Sequence, residues 1–113
     1  MDINDIFEEF QEMGLVAGQR DFGRFFGRSA SWFSSSLARS RSPSIESWLF
    51  FLHNLTKLIV RTDFAARTAA DADEREAFNA GKESLRTIHD SVQLTINQRV
   101  MAGVFGDDTD AHR

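Results

Sequence analysis

The sequence predicts an all-α chain. Three observations carry this: a single proline in 113 residues, few runs of β-branched residues, and apolar side chains that recur every three or four positions. Hydrophobic residues make up 42% and charged residues 27%, which is ordinary for a globular domain and argues against wholesale disorder. The length suits one domain, with at most an accessory helix. Eleven phenylalanines and two tryptophans, without tyrosine, can fill a small core.

The elements follow in order. Ile3, Ile6, Phe7, Phe10 and Met13 give a first helix one apolar face, with Asp2 as its cap and Gly14 as its stop. A second helix opens at Gly18 or Gln19 and runs to about Phe26, with Phe22, Phe25 and Phe26 inward and Gly27 at its end. Ser29 is positioned to cap a third helix, Ala30 to about Arg39, in which Trp32, Phe33 and Leu37 face inward. Ser40-Arg41-Ser42-Pro43 reads as a loop, and Ser44 as the cap of a fourth helix carrying Ile45, Trp48, Leu49, Leu52, Leu55 and Ile59. This helix is expected to reach at least Ile59 and at most Ala70. A fifth begins near 71–73, with Asp73 and Glu76 in the form of a capping box, and extends to about Met101 on the stripe Phe78, Leu85, Ile88, Val92, Ile96. The core expected from this pattern is Phe22, Phe26, Trp32, Phe33, Leu37, Ile45, Trp48, Leu49 and Leu52. Residues 106–113 are polar and read as a frayed tail.

Several function classes fall away. No apolar run approaches the roughly 18–20 residues of a membrane span. The acidic, helical start MDINDIFEEF is not the pattern of a secretory signal. Without cysteine there is no disulfide framework, thiol catalysis or thiolate-bound metal, and the composition is compatible with a reducing cytoplasm. His53, His89 and His112 are far apart. His53 reads as a core or boundary residue of the fourth helix, and His89 and Asp90 are neighbours that point different ways. No His-x3-His pair, glycine-rich phosphate loop or nucleophile elbow is present. The acids at Asp71, Asp73, Glu74 and Glu76 are an ordinary helix start. The chain is therefore read as a non-enzyme that needs no cofactor or metal.

Charge is unevenly placed. The net charge is −4, but Val16 to Ser44 holds five arginines (Arg20, Arg24, Arg28, Arg39, Arg41) against one acid, Asp21, and is +4. The first fifteen residues carry five acids and no base, and from Arg61 onward ten acids oppose seven bases. A basic module thus sits between acidic flanks. A merely solvated surface is the plain alternative.

The segment from Gln19 to Leu55, QRDFGRFFGRSASWFSSSLARSRSPSIESWLFFLHNL, has a fixed grammar. Gln19 opens a helix. Gly23 and Gly27 stand four residues apart, and a glycine such as Gly27 turns at positive φ without steric cost. Ser29, Phe33 and Ser34 follow, and Pro43-Ser44-Ile45-Glu46 opens the next helix. Together these positions resemble the helix-turn-helix of the lambda-repressor-like (Cro/CI, XRE-type) superfamily over about a third of the chain. The resemblance implies a positioning helix from Gln19, closest helix approach at Gly23, a recognition helix from Ser29, and Phe33 as its core anchor. The sequence departs from the pattern in two respects. Two extra residues lie between Gly14 and Gln19, and glycine replaces the usual alanine at 23, at a helix-propensity cost of about 1 kcal/mol.

The expected fold is accordingly a helix-turn-helix bundle of about five helices with a long C-terminal helix. Residues 1–62 would form the lambda-repressor-like unit and 63–105 a C-terminal helical extension for packing or dimerisation. The resemblance makes double-stranded DNA the expected partner of a cytoplasmic transcription regulator of prokaryotic or phage type. Gln19, Arg20, Arg28, Arg39 and Arg41 would hold phosphates, and Ser29, Ala30, Ser31, Ser34 and Ser35 would face the major groove. None of the groove-facing residues can make a bidentate base contact. That keeps a second reading open: a protein-interaction module, an antiactivator or adaptor, that binds another regulatory protein through the same scaffold. A homodimer is expected through Leu85, Ile88, Val92 and Ile96, whose short and interrupted heptad spacing excludes an extended coiled coil.

Overall fold

The computed structural model describes residues 1–105. The expected frayed tail, 106–113, lies outside the described residues. The fold is all-α: α1 (Ile3–Glu12), α2 (Gln19–Phe25), α3 (Trp32–Ala38), α4 (Ile45–Thr68) and α5 (Ala72–Phe105), with no strand among the described residues.

Local chemistry explains the helix ends. Asp2 and Asp5 form a reciprocal capping box on α1, each carboxylate accepting from the other's backbone N–H at 2.9 and 3.0 Å. Ser44 caps α4 by accepting from the Ser47 N–H at 3.1 Å. The first three helices share one stop: a residue at positive φ (Gly14, Gly27, Ser40) whose N–H and that of its successor return to the last turn. Serine at the third of these carries a Cβ that glycine would not. Two caps differ from expectation. α3 begins at Trp32 rather than Ala30, after Ser31, and the Ser29 backbone carbonyl, not its side chain, accepts from Trp32 N. At α5 the capping carboxylate is Asp71, which accepts from Asp73 N at 3.1 Å, and not Asp73.

The core is phenylalanine. Phe22 lies at its centre, its ring 4.9–6.2 Å from those of Phe7, Phe10, Phe26, Phe33 and Phe51. Phe26 and Phe51 stack at 4.5 Å with a 13° interplanar angle. Of the expected core, Phe22, Phe26, Phe33, Trp48 and Leu52 are buried, and Trp32 and Ile45 are half-buried. Leu37 (39% exposed) and Leu49 (52% exposed) are corrections. Phe51, fully buried and one side of the helix away, takes the place given to Leu49.

The tight turn at 69–71 folds α5 back along α4. Their contact buries Leu85, Ile88, Val92 and Ile96 in the same cluster as Phe51, Leu52 and Leu55. The expectation that this stripe forms a dimer interface is therefore corrected. The four residues are 0–5% exposed in their own chain because α5 lies along α4 and joins the one core that α1 and α2 also share. A boundary at 62 likewise falls inside α4, which runs unbroken from 45 to 68. Lys82 braces the pair by donating to Asp63 at 2.9 Å, and Arg99 donates to the Pro43 carbonyl at the other end.

Candidate nucleic-acid interface

Two constraints set the geometry of α2 and α3. Gly27, at φ +69°, reverses the chain. Gly23 then lets the start of α3 approach, since a Cβ there would stand 2.9 Å from the Ser29 carbonyl oxygen. Phe33 pins α3 from beneath, fully buried against Phe7 and Phe22. The outward residues of α3 are Ser34, Ser35, Leu37 and Ala38, with Ser31 exposed just before it. Ser29 is exposed on the connection and Ala30 half-buried. Ser34 donates its hydroxyl proton to the Ser31 carbonyl at 3.1 Å, so toward solvent it is an acceptor.

Three of the five expected phosphate-holding residues come together. Arg28, Arg39 and Arg41 line one recess of about 230 Å³ with Trp32, Ser35, Ser36, Ser42, Pro43 and Ser44. Among the described residues no carboxylate lines it. Among the described residues, none of the three arginines has a carboxylate within ion-pair distance. Arg28 is held in place: its Nε donates to Ser47 Oγ at 3.0 Å, and its guanidinium lies 6.0 Å from the centre of the Trp32 ring. Ser44 Oγ also donates to Ser47 Oγ, at 3.1 Å, so one hydroxyl ties the Gly27 turn to the first turn of α4. The reversal at Ser40, which closes α3 through bonds from Ser40 N to Leu37 O and Arg41 N to Ser36 O, sets Arg39 and Arg41 on the recess.

The chemistry gathered in the recess suits an oxyanion. It offers guanidinium groups and hydroxyls from three segments, and the first turn of a 24-residue helix. Gln19 and Arg20 are exposed in the first turn of α2 but do not line it. Trp32, expected inward, also lines the site, and Ser42, Ser44 and Ser47 were not anticipated there. The only sequence signal for them was the local one, serines flanking a helix cap. His53 is exposed, not at the core, and His89 Nδ1 lies 3.5 Å from Asp90 Oδ1, a contact at the limit of hydrogen bonding that sequence adjacency argued against.

A family model, DUF6626, described as a family of unknown function, matches residues 3–104. The matched span takes in α1 to α4 and all but the end of α5. No curated protein and no solved structure matches the chain.

Proposed function

We propose that this chain, which belongs to the DUF6626 family of unknown function, is a DNA-binding helix-turn-helix regulator of prokaryotic or phage type. The observation that carries the reading is the convergence of Arg28, Arg39 and Arg41 beside the outward face of α3, with no acid among the described residues that line their recess, in a protein of net charge −4. An acidic protein attracts duplex DNA only where its cations are gathered, and this recess gathers three of them beside the helix expected to meet the groove. In this reading the recess seats a backbone phosphate and sets the register, while Ser31, Ser34 and Ser35 lie over base edges. Hydroxyls and alanine methyls discriminate weakly, and most of the sequence preference comes from DNA shape and bridging water.

The second reading, a protein-interaction module, keeps one observation in its favour: the exposed part of α3 has no long polar side chain, and Leu37 on it is 39% exposed. The two separate cleanly. In the DNA reading, a mixed-sequence duplex binds the purified protein at about 50 mM salt and is released at several times that concentration. Absence of any complex at low salt rejects DNA binding. Solution mass measured alongside tests the homodimer, whose interface has to lie off the buried α5 stripe.

A further inference from the structure

We propose that the outer face of α4 docks an acidic amphipathic helix of another protein. Lys57, Val60, Arg61 and Phe64 stand at the three- and four-residue spacings that make one contiguous patch on a helix. Val60 and Phe64 are each 61% exposed, the most exposed large apolar side chains among the described residues. Beside them opens a shallow recess of about 370 Å³ between α2 and α4, floored by Phe25 and Leu58 and rimmed by Arg24, Lys57 and Arg61. No residue lines both this recess and the arginine recess beside α3.

The charge of this face is uncompensated. Lys57 and Arg61 are like charges one turn apart, an arrangement that weakens a helix, and among the described residues neither has a carboxylate within ion-pair distance. Two residues beyond Arg61, Asp63 pairs with both Arg67, at 3.0 Å, and Lys82, at 2.9 Å. The one acid in the recess, Asp21, already accepts from Ala17 N at 3.1 Å and pairs with Arg24 at 3.8 Å. Exposed apolar groups between unpaired cations call for a ligand with apolar groups between anions, and at helical spacing that ligand is an acidic amphipathic helix. A second copy joined two-fold through this face would set Lys57 and Arg61 near their own twins. The chain's own acidic amphipathic helix, α1, already buries Ile6, Phe7 and Phe10.

The test uses the full chain and a fluorescein-labelled helical peptide of about 18 residues, with leucines at three- and four-residue spacing and glutamate elsewhere. Fluorescence anisotropy should show saturable binding. Binding should weaken about tenfold in Lys57→Glu/Arg61→Glu and again in Phe64→Ser, and be absent for the same peptide with lysine for glutamate. Val60→Ser gives a second apolar variant, and circular dichroism checks that each variant keeps its helix content. The proposal is overturned by three results: no saturable binding of the glutamate peptide, equal binding by wild type and both classes of folded variant, or a wild-type dimer that Phe64→Ser dissociates. The last would make a second copy the occupant.

Discussion

Gly23 and Gly81 both lie inside helices, and alanine should act on them in opposite directions. At Gly81 a Cβ meets nothing within 4 Å, so Gly81→Ala gains helix propensity and should stabilise by about 0.5–1 kcal/mol. At Gly23 the same Cβ would stand 2.9 Å from the Ser29 carbonyl oxygen, a backbone atom fixed by its bond from Trp32 N. Moving that connection costs about 1–3 kcal/mol, more than the propensity gain, so Gly23→Ala should lower the urea midpoint. Asp63 carries the pH dependence that can be assigned to a residue. The hydrogen bond from Lys82, with the charges of Lys82 and Arg67, outweighs desolvation and holds its carboxyl below the ordinary 3.8. A depressed folded-state pKa means stabilisation in full above the ordinary value, lost as pH falls through the folded one. Between about pH 5 and pH 2, wild type should therefore lose more thermal stability than Asp63→Asn. An equal loss would show that the brace contributes nothing.

At the scale of elements, the α4–α5 hairpin holds the bundle together. Ile88 is fully buried beneath it, so Ile88→Ala should cost about 2–5 kcal/mol, and Phe33→Ala about 3–5 kcal/mol through the loss of the α3 anchor, both measurable by urea unfolding. A chain ended after residue 70 should fail to unfold cooperatively, because the core would lose Leu85, Ile88, Val92 and Ile96. These elements were legible in the sequence to different depths. Helix ends set by one residue and its near neighbours were read correctly at Asp2, Gly14, Gly27 and Ser44. At α3 and α5 the pattern pointed to Ser29 and Asp73, whereas Ser31 and Asp71, residues of the same type two positions away, stand at the helix starts. In Trp48-Leu49-Phe50-Phe51 every residue is apolar, so more than one register gives a plausible inward stripe, and the packing of Phe26 on Phe51 decides it. The α5 stripe announced that it would be buried. Periodicity carries no information on whether the cover is the same chain or another.

For the whole molecule, the account turns on charge placement. The described residues span 56 × 29 × 19 Å, and the acidic chain gathers three arginines beside one short helix, none with a carboxylate within ion-pair distance among the described residues. Each arginine was visible in the sequence, and so was the excess of positive charge from Val16 to Ser44. Their common recess was not. It depends on the reversal at Ser40 and on the bond from Arg28 to Ser47, 19 residues away. The most direct test is the salt dependence of duplex DNA binding for wild type, Arg39→Ala and Arg41→Ala, exposed positions whose loss should leave the fold intact. Seating of phosphates by these residues predicts that each substitution weakens binding to all sequences alike and reduces the slope of log affinity against log salt by about one unit. Unchanged slopes in both variants, or a wild-type protein that binds no DNA at low salt, would contradict the account.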